Sequence, residues 1–535
     1  MQDILMAATV MAVLLAGPVA AQDSAQDAAQ HDELAKKAKD KHAAKVAREV
    51  AESWAEAPVE EQAVTTRHTI SAGGNTIDYR ARAGTLTIRN KKGKPEASVF
   101  YVAYLAGDGE DDEAQDRSGR PLTFFFNGGP GSASLWLHMG SFAPMRVKTG
   151  SPVSIGPPPY EFGPNPYNLL GVTDMVFIDM VGAGYSRMLG AAKGEDFWGV
   201  DQDVDAFARS IMRYVTKFDR WNSPKLIFGE SYGTTRAGAL AYQLQERGMA
   251  LNGVILLSSV LNYGIDQSGF DRYFIAMLPS YSAAAWYHKQ VPNRPDKVAD
   301  FVQEAREFAY GPYAEVLSKG NSASQQEIDR VAARMSDLTG LSEDYIEESD
   351  LRVDLSGFRK ELLRDERLTI GRFDSRYTGI DPDASGAEPR FDASSTAITG
   401  AFVASVRDHL GTTLKYESPL HYRLSARAVE EFDWDWEHTA PGREWPESTP
   451  NTAVDLGAAM RTNPYLKVLS LNGYYDMATP FFQTEYDLSH LDIEADRVED
   501  VYLKYYPSGH MIYLNPDALA MMHDDLVDFY EVAAP

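Results

Sequence analysis

Cysteine is missing from all 535 residues. Its absence rules out disulfides, thiolate zinc sites and a cysteine nucleophile together, which leaves Ser, Thr, Asp or Glu for covalent catalysis. Positive charge is scarce as well. The 51 Lys and Arg face 77 Asp and Glu, a formal net charge of −26. No nucleic-acid partner is expected, because phosphate binding needs clustered Lys and Arg. Long apolar runs are also lacking. Ile4 to Val19 is too short to span a bilayer comfortably, so no stable membrane insertion is expected. That run ends in Val19-Ala20-Ala21, small residues of the kind a signal peptidase reads, with cleavage before Gln22. Residues 1–21 therefore read as an export signal to the periplasm or the medium, although the segment carries Asp3 and no Lys or Arg. Nothing in the sequence sets an oligomeric state.

What is present suffices for a large core and a substantial insertion. Residues 22–64, rich in Ala, Asp, Glu, Gln and Lys, read as a polar, solvated spacer. From Thr66 the pattern turns β-like, at Thr69–Ser71, Thr85–Arg89 and Ser98–Tyr104. Four nearly continuous apolar runs come next: Leu122–Phe126, Met175–Ile178, Lys225–Phe228 and Val254–Leu257. Such runs predict buried parallel strands. Helical patterns at Val204–Tyr214 and Thr234–Arg247 lie between them, so a mostly parallel sheet flanked by helices is expected. Two more strand-like runs, Leu466–Leu471 and Val501–Tyr505, precede a final helix that Asn515-Pro516 opens. The stretch 262–455 breaks the rhythm with polar helices, one announced by the capping box Ser324…Glu327, and with Trp- and Pro-rich loops. It reads as an inserted helical cap that splits the core into 65–261 and 456–535.

The chemistry centres on Gly229-Glu230-Ser231-Tyr232-Gly233, placed directly after a strand and directly before a helical pattern. That setting is a nucleophile elbow: the two glycines permit a very sharp turn, and Ser231 stands exposed at a helix N-terminus. A serine hydroxyl needs a base, and the base needs an orienting carboxylate. In the α/β-hydrolase fold these come in the order Ser, Asp, His, each after a strand. Asp476, after the run ending at Leu471, and His510, after the run at 501–505, meet that condition. Phe124-Phe125-Phe126-Asn127-Gly128-Gly129-Pro130-Gly131 supplies the remaining part: a strand entering a glycine-rich turn whose backbone can approach a substrate. Backbone N–H groups of Gly129 and Tyr232 are the candidate oxyanion donors. No G-K-[S/T] comes after the glycines, which excludes a phosphate loop. No cofactor is called for, and no metal-ligand cluster is evident.

Taken together the blocks resemble one family, the serine carboxypeptidases (carboxypeptidase Y-like, peptidase family S10). The resemblance rests on Asn127–Gly131, Asn165-Pro166-Tyr167, Ile178–Ser186, Gly229–Gly233, Asp476 and Gly509-His510-Met511. It implies removal of single residues from peptide C-termini, often best in acid, with peptide or protein C-termini as substrate. It also assigns Asn127 and Glu230 to the substrate's terminal carboxylate. A carboxylate does not attract a carboxylate, so Glu230 must be protonated or share a proton. One departure bears on this. The family pairs that glutamate with a second one in a Glu-x-Gly-Pro segment, and here Ser141-Phe142-Ala143-Pro144 stands instead; Ser132 likewise replaces a customary cysteine. The alternative is a serine esterase or acyltransferase, since the same machinery serves any acyl group. A non-catalytic binding protein is a third reading, against which Ser231, Asp476 and His510 argue.

Overall fold

The computed structural model describes residues 56–72, 74–107 and 117–535. The export signal at 1–21 and most of the spacer at 22–64 lie outside the described residues. Residues 56–426 and 432–535 form one compact unit. The described end of the spacer has no buried residue and carries an anchor to the core. Glu61 pairs with Arg213 and Lys217, both at 2.8 Å, and accepts from the Thr87 amide at 3.0 Å.

A ten-stranded sheet forms the centre. Its first three long strands, β1 (Ala63–Ala72), β2 (Asn75–Arg89) and β3 (Pro95–Ala106), are antiparallel. A two-residue strand, Arg187–Met188, pairs with β3 off the main path, and the remaining six are β4 (Leu122–Phe126), β5 (Asp174–Ile178), β6 (Lys225–Glu230), β7 (Gly253–Leu257), β8 (Lys467–Gly473) and β9 (Val501–Tyr506). These six run parallel in the order β5-β4-β6-β7-β8-β9, joined to the antiparallel part through β3 beside β5. This is an α/β-hydrolase sheet. Strands β4 to β7 are buried along their whole length, which is why they read as continuous apolar runs instead of alternating ones.

Helices cover both faces. α1 (Val200–Lys217) buries Val204, Phe207, Ile211 and Val215, an i, i+3/i+4 stripe turned to the sheet. α2 (Tyr232–Glu246) starts immediately after Ser231, and α3 (Pro516–Ala533) opens on Asn515, whose side chain accepts from the Asp517 amide. Among the described residues no helix is long and apolar enough to cross a membrane.

The insertion lies between β7 and β8. Its helices include Arg272–Tyr287, Val298–Phe308, Gln325–Thr339 and Thr399–Asp408. The capping box at Ser324 and Glu327 is formed. The insertion has its own apolar core, in which Tyr281 and Phe358 stack at 4.0 Å, and this core runs on into Tyr474, Tyr475 and Phe481 after β8. The insertion is thus packed onto the very loop that carries Asp476.

Candidate active site

Sheet register brings the sequence-picked residues to one edge. Phe126 pairs with Gly229 across β4 and β6, and Leu257 pairs with Glu230 across β7 and β6. The chain therefore leaves β4 at Asn127 and β6 at Ser231 side by side, at the carboxyl ends of the strands. Ser231 has φ 61° and ψ −131°, a conformation rarely adopted by a non-glycine residue, and its N–H donates to Leu257 O at 3.0 Å. The turn leaves no space for side chains beside it: a Cβ on Gly229 would meet Gly233 O at 2.1 Å.

The glycine loop packs directly on the start of α2. A Cβ on Gly128 would lie 2.4 Å from the backbone nitrogens of both Tyr232 and Gly233. Gly129 has φ +114°, a region that favours glycine. Asn127 is held from two sides. Its Oδ1 accepts from the Leu137 amide at 3.0 Å, and its backbone carbonyl accepts from Arg236 Nη1 at 2.8 Å. Arg236 is fully buried and paired with Asp203 at 2.6 Å, so α2 itself fastens the loop.

Asp476 and His510 meet across β8 and β9. His510 Nδ1 lies 2.7 Å from Asp476 Oδ2, and both side chains are buried. Asp476 Oδ1 accepts from the amides of Ala478 and Thr479, and Thr479 Oγ1 donates to Oδ2 at 2.7 Å. The carboxylate is thereby fixed in orientation. Burial by itself would lower His510. The charge and hydrogen bond of Asp476, with Glu230 beyond, override it and hold the imidazole above its ordinary range.

Asn127, Gly128, Gly129, Glu230, Ser231 and His510 line a single cavity of about 200 Å³. Its apolar wall is built from Trp136, Phe373, Ile398, Met511 and Leu514. Among the described residues no hydrogen bond joins Ser231 to His510; contacts of this kind tighten once substrate excludes water. Glu230 is buried beside the serine, and burial pushes its carboxyl up to about 7, against the opposing pull of His510, Tyr513 and Asn127. Ser141 does not reach the cavity lining. It is buried, and its hydroxyl donates back to Leu137 O at 2.6 Å.

A family model for serine carboxypeptidases matches residues 74–341, half of the chain. The chain belongs to the serine carboxypeptidase family. As such it is a serine hydrolase. The match includes the glycine loop and Ser231 and stops before Asp476 and His510. No curated protein matches the chain. Similar solved structures include a proline iminopeptidase from Mycobacterium smegmatis, at 13% identity over 84% of this chain and 98% of that one, with a TM-score of 0.35. A thermostable carboxyl esterase from Bacillus coagulans has 12% identity, 84% and 98% coverage and a TM-score of 0.35. A soluble variant of monoglyceride lipase from Saccharomyces cerevisiae has 11% identity, 84% and 94% coverage and a TM-score of 0.35.

In this member of the serine carboxypeptidase family, four residues around the site lie outside the sequence motifs. Thr479 carried a local signal, since a hydroxyl three residues after an aspartate readily closes a turn on it. Phe373, Arg376 and Tyr513 carried none, because nothing local tells which distant segment will reach a site. Among the described residues no group of three or more His, Cys, Asp or Glu could hold a metal ion.

Proposed function

We propose that this family member is an exported carboxypeptidase that removes residues from peptide C-termini through an acyl-enzyme. Ser231 attacks the scissile carbonyl while His510 takes its proton, and Asp476 holds the imidazole tautomer. Backbone N–H groups of Gly129 and Tyr232 receive the oxyanion. His510 then gives its proton to the leaving amine, and water hydrolyses the ester on Ser231. Asn127 and Glu230 take the substrate's terminal carboxylate.

One observation carries the exopeptidase reading. Glu230 is buried next to the nucleophile with its carboxyl pushed up to about 7, so below neutral pH it bears a proton it can donate to a carboxylate. A carboxylate buried there in ionised form would repel the same group. The apolar walls from Trp136, Ile398 and Leu514 suit an apolar C-terminal side chain.

The esterase or acyltransferase reading is favoured by Ser141, which brings no second carboxylate to the site. Digestion of a mixed peptide library, read by mass spectrometry beside a panel of simple esters, separates the two. C-terminal ladders that vanish in Ser231→Ala support the carboxypeptidase; ester turnover with intact peptides removes it. The apolar run from Ile4 to Val19 and the small residues before Gln22 support export, and N-terminal sequencing of the mature protein tests it.

A further inference from the structure

Glu230 has a partner that the carboxypeptidase reading leaves unused. Tyr513, on the loop that carries His510, is fully buried, and its phenol donates to Glu230 Oε1 at 3.2 Å and Oε2 at 3.0 Å. The surroundings are shaped to hold this ring. A Cβ on Gly140 would lie 2.6 Å from Tyr513 Cε2 and 2.7 Å from Cδ2, so the ring occupies room that only a glycine leaves. Arg146 ties the two backbones together. Its Nε donates to Gly140 O at 3.2 Å and its Nη2 to Tyr513 O at 3.1 Å. The ring thus lies against Gly140, next in the chain to Ser141, whose own hydroxyl is turned back into its helix.

We propose that Tyr513 is a positioning residue for Glu230, whose hydroxyl aims the carboxyl and sets the pH at which its grip on a substrate carboxylate is lost. The inference rests on the carboxypeptidase reading of Glu230. A phenol can do here what a second carboxyl cannot. Burial holds Tyr513 well above the ordinary phenol range, so it stays neutral and adds no negative charge beside Glu230. Two adjacent carboxyls, by contrast, keep a shared proton only by opposing each other's ionisation. A donor to both oxygens favours the ionised form of Glu230 and so draws its titration downward from where burial alone would set it. The other groups facing Glu230 are His510, whose positive form also favours ionisation, Asp476, which opposes it, and the neutral amide of Asn127. Asp374 on the same cavity wall is neutralised by Arg376 at 2.6 Å. Tyr513, which also meets Asn127, is the one of these that belongs neither to the triad nor to the cavity lining.

The test is the pH dependence of KM for a peptide with a free C-terminus and no ionisable side chains. It is measured for the wild type, Tyr513→Phe and Glu230→Gln, with fluorophosphonate labelling of Ser231 reporting that each variant is folded. In the wild type KM should rise as pH passes through neutrality. In Tyr513→Phe the rise should move upward by about one pH unit, the effect of losing one donor to a charged group. In Glu230→Gln the rise should be absent. A second variant, Gly140→Ala, should shift the rise the same way by displacing the ring. If the rise disappears in Glu230→Gln yet stays at the wild-type pH in both Tyr513→Phe and Gly140→Ala, the role of Tyr513 is overturned and the carboxypeptidase reading stands. If the rise persists in Glu230→Gln, both are overturned.

Discussion

The backbone N–H of His510 donates to the carbonyl of Phe373 at 2.6 Å. The histidine proposed as general base is therefore anchored by the insertion and not only by the sheet that carries its loop. The neighbours of Phe373 reach the other loop as well. Arg372 O accepts from the Met477 amide at 3.2 Å, and Ser375 N donates to Tyr475 O at 3.0 Å. Gly509 is a glycine for this reason: a Cβ there would lie 2.4 Å from Asp374 Cβ. Segment 372–376 stitches the Asp476 and His510 loops to each other.

Arg376 is the strongest stitch. It donates to Pro507 O at 3.0 Å and to Ser508 Oγ at 3.3 Å while paired with Asp374, and the Arg376 and Asp374 side chains are buried. Arg376→Met would strand the Asp374 carboxylate, which costs about 3–5 kcal/mol and should lower the denaturant midpoint accordingly. With the histidine loop loosened, kcat should fall about 10²-fold at temperatures where the variant is still folded. Wild-type kcat under those conditions would refute the positional role.

Ser231→Ala and His510→Ala should each lower kcat on the order of 10⁶-fold, and the double variant should be scarcely worse, because members of a triad act as a unit. Steady-state kinetics with exhaustive removal of contaminating activity is the check. An active Ser231→Ala would end the covalent mechanism.

His438 links the end of the insertion to the core. Its Nδ1 lies 2.6 Å from Asp201 and its Nε2 2.9 Å from Asp455. Burial alone would lower it; the hydrogen bonds and charges of the two aspartates push it up to about 9. A histidine raised in the folded state stabilises fully below its unfolded value of about 6.5, and that contribution is lost as pH rises through about 9. Unfolding free energy should therefore decline between those limits, and His438→Gln should flatten the decline. An unaltered slope in the variant would show that other groups cause it.

On the acid side the sign reverses. The Tyr104 hydroxyl meets His138 Nε2 at 2.6 Å and His409 Nε2 at 2.8 Å, so it donates to one neutral ring and accepts from the other. Burial holds His138 well below its ordinary value and His409 down to about 3. The unfolded chain binds protons at these positions from about pH 6.5 downward while the folded one does not, so stability should fall as pH falls. In His409→Gln the slope of unfolding free energy against pH between about 6.5 and 4 should be shallower by up to one proton. An equal slope would mean that His409 is not the group resisting acid.

The sequence alone located the parallel strands, because a strand buried on both faces is nearly continuously apolar, as Val254–Leu257 is throughout and Leu122–Phe126 is at every position but Thr123. It also located the elbow at Ser231, since glycines on both sides of a serine between strand and helix serve one sharp turn. The antiparallel strands β1 to β3 are longer than their sequence pattern suggests. Their ladder extends through polar residues such as Arg67 and Arg80, which pair by backbone bonds that a hydropathy pattern does not register.

Only the tertiary structure decided what surrounds these landmarks. Local pattern reports whether a residue faces a core, but not which remote chain it will meet there. That Tyr513 reaches Glu230 through the room left by Gly140, and that Phe373 holds His510, are contacts between segments far apart in sequence. Such contacts are set by the packing of the whole insertion against the loops after β8 and β9.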